Sequence, residues 1–424
     1  MSREKSAFLV VLGATILTMV LMMGAAAKES IAYSFWGQPE QVDLMLKVLS
    51  RFEEKHPNIS VEPRYSVFGT YHEKLLVEMT SGLAADVILV SPAYFPQFVD
   101  HNVFMDLTDL AKRDLKMNDY FPTAPVYYEG RLYGLPHILD VEMMYFNQDL
   151  FEAAGVDLPH ESWTWDEDFL PAVRKLTRKN GEGAVTQFGA FRNAGSIYTL
   201  WSAMTARGGG FYDVAQKKVL VNQPESIETL RFFHSLAHVY GAAAAPGIPT
   251  AGGGNWTNGT VATNIGWNSG IGYNHARNLP FEWHASVMPG WSGGKRVTES
   301  HATAFMINAS TKKVETAWTL AKYLGYEPEA TLVAEGAWGP AKRQSTWRSF
   351  LPQIERVVPG HQQDWEAVFR SFEFGQKFPW TAEYTQVQQA HSRHLAVLWA
   401  NTSGPETVAE QFADSLQAIL SYSR

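Results

Sequence analysis

The chain has 424 residues, 46% of them hydrophobic and 18% charged, with a formal net charge of −8 and no cysteine. A chain of that length normally divides into two or more lobes with large cores, and its acidic balance argues against a nucleic-acid partner. Without cysteine, neither a disulfide framework nor a thiolate-bound metal is possible.

In chain order, Met1–Ala27 opens with Arg3 and Lys5, continues as an apolar run from Ala7 to Met23, and ends in Ala25-Ala26-Ala27. Positive start, apolar middle and small-residue end are the pattern of an export segment. An uncleaved anchor is the alternative, because the run is close to the minimum for a membrane span. Cleavage near Ala27 is favoured, since polar Lys28-Glu29-Ser30 follows at once. The chain as written offers no thiol for lipid attachment, so a periplasmic or extracellular protein that is not a lipoprotein is expected.

Ile31–Phe35 reads as a buried strand, Trp36-Gly37-Gln38-Pro39 as a loop, and Val42, Met45, Leu49 and Phe52 as the apolar stripe of a helix stopped by Pro57. Pro39 suits the first helical turn and Glu40 its positive end. Such a strand-to-helix turn sets an aromatic ring and polar groups at the carboxyl edge of a sheet, where open α/β folds bind ligands. Trp36, Gln38 and Glu40 are therefore ligand candidates. Ile59–Tyr65 is a second strand, and Thr70-Tyr71-His72-Glu73 predicts a capping box that opens the next helix. Asp86–Val90 is a third strand, apolar enough for a parallel sheet covered on both faces, with Ser91 and Tyr94 just past its end. This alternation makes the first part of the chain α/β, and adds Thr70, Tyr71, Ser91 and Tyr94 to the candidates.

Farther on, Thr164-Trp165-Asp166-Glu167 and Asn222-Gln223-Pro224-Glu225 predict helix starts. Val261–Gly266 predicts a strand ending at Trp267 and Asn268, and Glu406–Tyr422 an amphipathic helix. Fourteen tryptophans are a heavy load, and many lie beside Gly or Asn in predicted loops. A pyranose has an apolar C–H face for such rings and a belt of hydroxyls for Asp, Glu, Asn, Gln or Arg. Trp318 and Trp365, inside helical patterns, are expected in the core instead, and Asp86 as a cap at a strand start. No nucleophile elbow, phosphate loop or His-Glu-x-x-His motif occurs. His234 and His238 are one helical turn apart with no apparent third ligand, so neither metal nor cofactor is expected. Carboxylates abound, and a glycan-cleaving enzyme stays open as an alternative because its carboxyl separation is a property of the fold.

The order of FWG-x-PE (Phe35–Glu40), FEEKHPNISVE (Phe52–Glu62), ADVILV (Ala85–Val90), FMDLTDL (Phe104–Leu110), GRLYGLP (Gly130–Pro136), MMYFNQDLFEAAGVDLP (Met143–Pro159) and WTWDEDF (Trp163–Phe169) resembles extracellular solute-binding protein family 1 of ABC sugar importers. It is similar to the maltodextrin-binding proteins. The resemblance implies an α/β, two-lobe periplasmic-binding-protein-like (type II) fold with discontinuous lobes and an interlobe cleft. Crossings are expected near Pro136–Val141, Trp283–Gly290 and Trp338–Gln344. Lobe one would then be residues 28–139 and 287–343, and lobe two 140–286 and 344–424. It also implies a non-enzymatic, monomeric receptor that delivers a mono- or oligosaccharide to permease subunits. A polyol, glycerophosphodiester or oligopeptide cargo is the alternative. By the family's layout the ligand candidates extend to Trp256, Trp267, Asn268, Trp291, Ser300, His301, Trp338, Arg343, Trp380 and Tyr384. Arg192 joins them, with a surface ion pair as its equal alternative.

Overall fold

The computed structural model describes residues 28–99, 102–190, 196–245, 248, 250–327 and 344–421. In chain order the elements that frame the site are β1 (Glu29–Trp36), α1 (Pro39–Lys55), β2 (Ile59–Ser66), α2 (Phe68–Ser81), β3 (Val87–Val90), β4 (Val126–Tyr128), β5 (Arg131–Asn147) and α3 (Ile197–Arg207). They continue as β6 (Thr263–Trp267), α4 (Gly270–Ala276), β7 (Trp283–Ser286), β8 (Thr298–Ile307), α5 (Val314–Tyr326), α6 (Gln344–Val357), α7 (Gln362–Ser371), α8 (Tyr384–Trp399) and α9 (Pro405–Ser421).

The apolar β1 is a central strand, parallel to both β2 (Ile31 beside Val61) and β3 (Tyr33 beside Val87). It runs through Trp36, so the predicted loop begins one residue later. Pro39 starts α1, and Gln38 and Gln41 cap it reciprocally, with the Gln38 N–H donating to Gln41 Oε1 at 2.8 Å. The helix beginning at Phe68 has Val67 as its N-cap, not Thr70. Thr70 lies inside its first turn, where its hydroxyl bonds the Val67 carbonyl instead of capping. The Thr164 cap is present, its Oγ1 accepting from the Glu167 N–H at 3.2 Å, but Asp168 and not Glu167 returns the bond to the Thr164 N–H. Asp86 caps its strand edge, Oδ2 accepting from the Ala32 N–H at 3.0 Å.

Two long strands join the lobes. β8 pairs antiparallel with β3 (Ala304 opposite Val90) and with β5 (Phe305 opposite Leu135, Ser300 opposite Val141), with a bulge between Ala302 and Ala304. The first half of β5 thus belongs to the lobe-one sheet. Its second half pairs with β6 and β7, Met144 standing opposite both Ile265 and Ser286. In lobe one, Phe35, Phe52, Phe305 and Trp318 form the core on one sheet face, and Leu75, Ile88, Phe98 and Met306 on the other. In lobe two, Trp165, Phe169, Met204 and Phe412 fill one core. Met143, Tyr145, Trp347 and Trp365 fill a second core behind β5. Met288, within the crossing expected at Trp283–Gly290, and Trp291 and Val297, which follow it, share a core with Trp165. The crossing expected at Trp338–Gln344 lies outside the described residues except for Gln344, which starts α6.

Candidate functional site

A cavity of 380 Å³ opens between the lobes, lined by the carboxyl ends of β1 and β3, the middle of β5 and β8, and by α1, α2, α3, β6 and α8. Its lobe-one wall is aromatic. The Trp36 ring lies 5.4 Å from Phe68, 5.2 Å from Tyr71 and 5.1 Å from His72. His72 stacks on Tyr94 at 4.0 Å with the planes 6° apart, and its Nε2 accepts from the Ser91 N–H at 3.3 Å. Burial pushes the His72 pKa down to about 3, so the ring is a neutral spacer. Phe68 keeps 47% of its surface exposed at the mouth of the cleft.

The lobe-two wall is aromatic and hydrogen-bonded. Tyr198, near the start of α3, and Tyr384, at the start of α8, share a hydroxyl–hydroxyl bond of 2.5 Å. Trp267 ends β6; its ring meets Tyr198 edge-on at 5.4 Å and His301 at 5.0 Å, and its carbonyl accepts from Tyr145 Oη at 2.6 Å. Trp380 stands edge-on to His301 at 5.4 Å.

The floor comes from the two crossing strands. Asp140, His137 and Ile138 on β5 and His301 and Thr303 on β8 line it. Behind them Glu299 is fully buried and accepts from His301 Nδ1 at 2.9 Å. Burial lowers the His301 pKa, but the Glu299 charge and hydrogen bond, with Asp140 and Glu142 nearby, more than compensate, and the net shift is upward. With its Nδ1 bonded to Glu299, the ring keeps Nε2 for a ligand. Burial raises Asp140 to about 6, against the pull of His301. It raises Glu142 to about 8, even though Glu142 accepts from the Thr199 hydroxyl at 2.9 Å. Lys377, half-buried and donating to the Pro125 carbonyl at 2.7 Å, falls to about 8 through desolvation, with Glu299 opposing the shift. Two facing ring walls over a floor of carboxylate and imidazole can cover an apolar face and bond hydroxyls at its edge.

Of the sequence candidates, Trp36, Ser91, Tyr94, Trp267, His301 and Tyr384 line the cavity, and Trp380 backs His301. Others sit elsewhere. Gln38 is an exposed helix cap and Thr70 is exposed in α2. Tyr71 is buried behind Trp36, where desolvation raises its hydroxyl pKa. Trp256 packs on Phe281 at 5.1 Å in the core behind β5 and donates to Asn274. Asn268 is fully buried and pins the crossing strand, accepting from the Val141 N–H at 2.9 Å and donating to the Leu139 carbonyl at 3.2 Å. Trp291 is buried, donates to the Ala203 carbonyl at 2.8 Å and carries the Arg207 guanidinium 3.7 Å over its ring. Ser300 points to the opposite face from His301, since side chains alternate along a strand, and its hydroxyl meets Thr123 at 3.3 Å. Arg192, Trp338 and Arg343 lie outside the described residues, as does the side chain of Glu40. Phe68, Asp140, Tyr198 and Gln388 line the cavity without having been candidates. Asp140 was within reach, because alternation along a crossing placed at Pro136–Val141 turns one of its faces to the cleft.

The family model described as "Bacterial extracellular solute-binding protein" matches residues 38–330. An arabinooligosaccharide-binding protein of Bacillus subtilis is 25% identical over 338 residues, 72% of this chain and 74% of its own length. Another, from Halalkalibacterium halodurans, is 26% identical over 227 residues, 50% of this chain, so the chain spans only about half (47%) of that relative. An ABC substrate-binding protein of Listeria monocytogenes in complex with cycloalternan superposes with a TM-score of 0.79 at 21% identity, over 93% of this chain and all (100%) of that one. Its two-lobe fold is the fold described above. The chain belongs to the bacterial extracellular solute-binding proteins.

Proposed function

We propose that this protein is the receptor of an ABC importer and holds a carbohydrate between the two aromatic walls of its cleft. The observation that carries this reading is the floor of Asp140 and His301 set between Trp36, Phe68 and Tyr94 on one side and Tyr198, Trp267 and Tyr384 on the other. The rings remove the C–H faces of a sugar from water, and the floor satisfies its hydroxyls. The cavity volume, 380 Å³, lies within the usual size of small-molecule sites. Relatives named for arabinooligosaccharides and a neighbour bound to cycloalternan favour a saccharide over other polar solutes. The ligand's contacts with both walls favour the closed arrangement of lobes, and that arrangement docks on the permease. Residues 1–27 serve as the export segment, and the protein acts as a monomer without catalysis.

Thermal unfolding of the purified protein against mono- and oligosaccharides, polyols and glycerophosphodiesters tests the reading. A ligand at about 100 times its Kd stabilises by roughly 2.7 kcal/mol, a clear rise in melting temperature. A rise with one saccharide group is the expected result. A rise only with another solute class overturns the carbohydrate reading, and cleavage of the sugar during incubation overturns the non-enzymatic one.

A further inference from the structure

We propose that lobe two carries a binding site for a divalent transition-metal cation of the zinc class, formed by His284, His361 and Asp364 at the outer edge of β7. The three residues come from two elements. His284 lies in β7, while His361 is the N-cap of α7 and Asp364 lies in its first turn. Among the described residues this is the one group of three or more His, Asp or Glu whose ligand atoms all lie within 4.8 Å of one another. His284 Nδ1 stands 3.2 and 3.3 Å from the two Asp364 oxygens, and His361 Nδ1 2.5 Å from Oδ2.

Ligand atoms about 2.0–2.2 Å from a tetrahedral zinc ion lie roughly 3.4 Å from each other. The His284–Asp364 separations of 3.2 and 3.3 Å are close to that value, all the ligand atoms lie within 4.8 Å of one another, and the His361–Asp364 contact must open to admit the ion. Two imidazoles with one carboxylate suit a zinc-class cation better than magnesium or calcium, which take oxygen donors.

The surroundings are those of oriented ligands. Asp364 is fully buried, and its Oδ1 accepts the Ala285 N–H at 3.0 Å. Glu282 Oε1 lies 3.7 Å from Nε2 of His284, on the far side of the ring from Asp364, and adds negative charge beside the imidazole. Trp283 stacks on His361 at 4.1 Å and 21°, holding its plane. The Gln363 amide nitrogen, 2.9 Å from His284 Nδ1, has to give way to the ion. Water or His275, an exposed residue whose ring centre is 6.1 Å from that of His361, completes the coordination. His284 and His361 are 9% and 7% exposed, so the ion reaches them from the surface without passing through the core. None of these residues lines the cleft. The carbohydrate reading and this site can therefore fail separately.

The test uses purified protein stripped with a chelator, then titrated with zinc chloride by calorimetry and with cobalt(II) chloride by visible absorption. In a chain without cysteine the cobalt bands report imidazole and carboxylate ligation alone. His234 and His238, with rings 4.6 Å apart on the surface, are the competing pair. Wild type is expected to take up one zinc ion. His361→Gln and Asp364→Asn should weaken it by at least about 10–100-fold, while His234→Gln/His238→Gln leaves it unchanged. His361→Gln removes a near-surface ligand, and its melting curve shows that the fold survives if Asp364→Asn does not. No zinc uptake by wild type overturns the proposal. So does uptake that survives His361→Gln and disappears with the surface pair, which marks an adventitious ion only.

Discussion

On the lobe-one side of the cleft, Trp36, Phe68 and Tyr94 are held by ring packing around His72, a neutral histidine with one backbone bond from Ser91. On the lobe-two side, Tyr198 and Tyr384 share a hydroxyl bond, the Trp267 carbonyl accepts from Tyr145, and the Tyr198 and Trp267 rings meet His301, whose pKa the Glu299 carboxylate behind it raises. The first wall is an apolar platform whose charge is fixed across ordinary pH. The second, with Asp140 on the floor beside it and Glu142 buried nearby, titrates. A sugar face needs a surface with little directional demand, whereas its hydroxyls need donors and acceptors at fixed places. The two walls divide those tasks.

The largest effect is expected from Trp267→Ala, because that ring touches Tyr198 and His301 and anchors the titrating wall. Sugar binding should weaken by about 2–3 kcal/mol, roughly 30–150-fold by calorimetry. Trp36→Ala should weaken it by about 1–2 kcal/mol and leave the pH profile of binding at its wild-type shape. A changed profile in that variant would remove the distinction between the walls.

The pH dependence of stability has opposite signs on the two sides. His72 titrates lower in the folded chain than its ordinary value, at about 3. The folded protein therefore binds fewer protons there, and this side contributes stability above the ordinary histidine pKa of about 6.5 that is lost as pH falls toward the folded value. Asp140 and Glu142 titrate higher in the folded chain, at about 6 and about 8. Their contribution is full below the ordinary carboxylate range and is lost as pH rises through those values. Glu142→Gln keeps an acceptor for Thr199 and removes the ionisation. It should raise the melting temperature by several degrees near pH 8, with a smaller gain near pH 5. His72→Gln should flatten the acid limb and leave the alkaline limb as it was. The smallest effect is expected of Tyr384→Phe, which removes one side of the Tyr198 bond and should cost about 1 kcal/mol of affinity with little change in melting.

The strand–helix alternation of residues 31–90 was legible because every element there has its own period and stop signals. The apolar stripe Val42, Met45, Leu49 and Phe52 is buried as spaced, and Trp318 and Trp365 are core residues. Trp36, Ser91 and Tyr94 were legible as positions at strand ends. What misled was chemistry shared between sites and cores. Trp256, Asn268 and Trp291 have the residue types of a sugar site, yet each spends its polar atoms elsewhere: Trp256 on the Asn274 side chain, Asn268 on the backbone of the crossing strand and Trp291 on the Ala203 carbonyl. Ser300 failed by one step of strand alternation. Tyr198 was missed because what brings it to the cleft is the approach of α3 to the paired strands β5 and β8, a contact between residues far apart in sequence. Packing of the same kind, between residues far apart in sequence, puts Trp291 and Val297 in one core with Trp165.

The central claim is that both walls grip one ligand. It is tested most directly by calorimetric titration of wild type and of the Trp36→Ala/Trp267→Ala double variant with the oligosaccharide that stabilises the protein. One binding event per chain is expected in wild type and none measurable in the double variant, with the two melting curves similar in the absence of sugar. Undiminished binding by a well-folded double variant would contradict it and place the sugar outside this cleft.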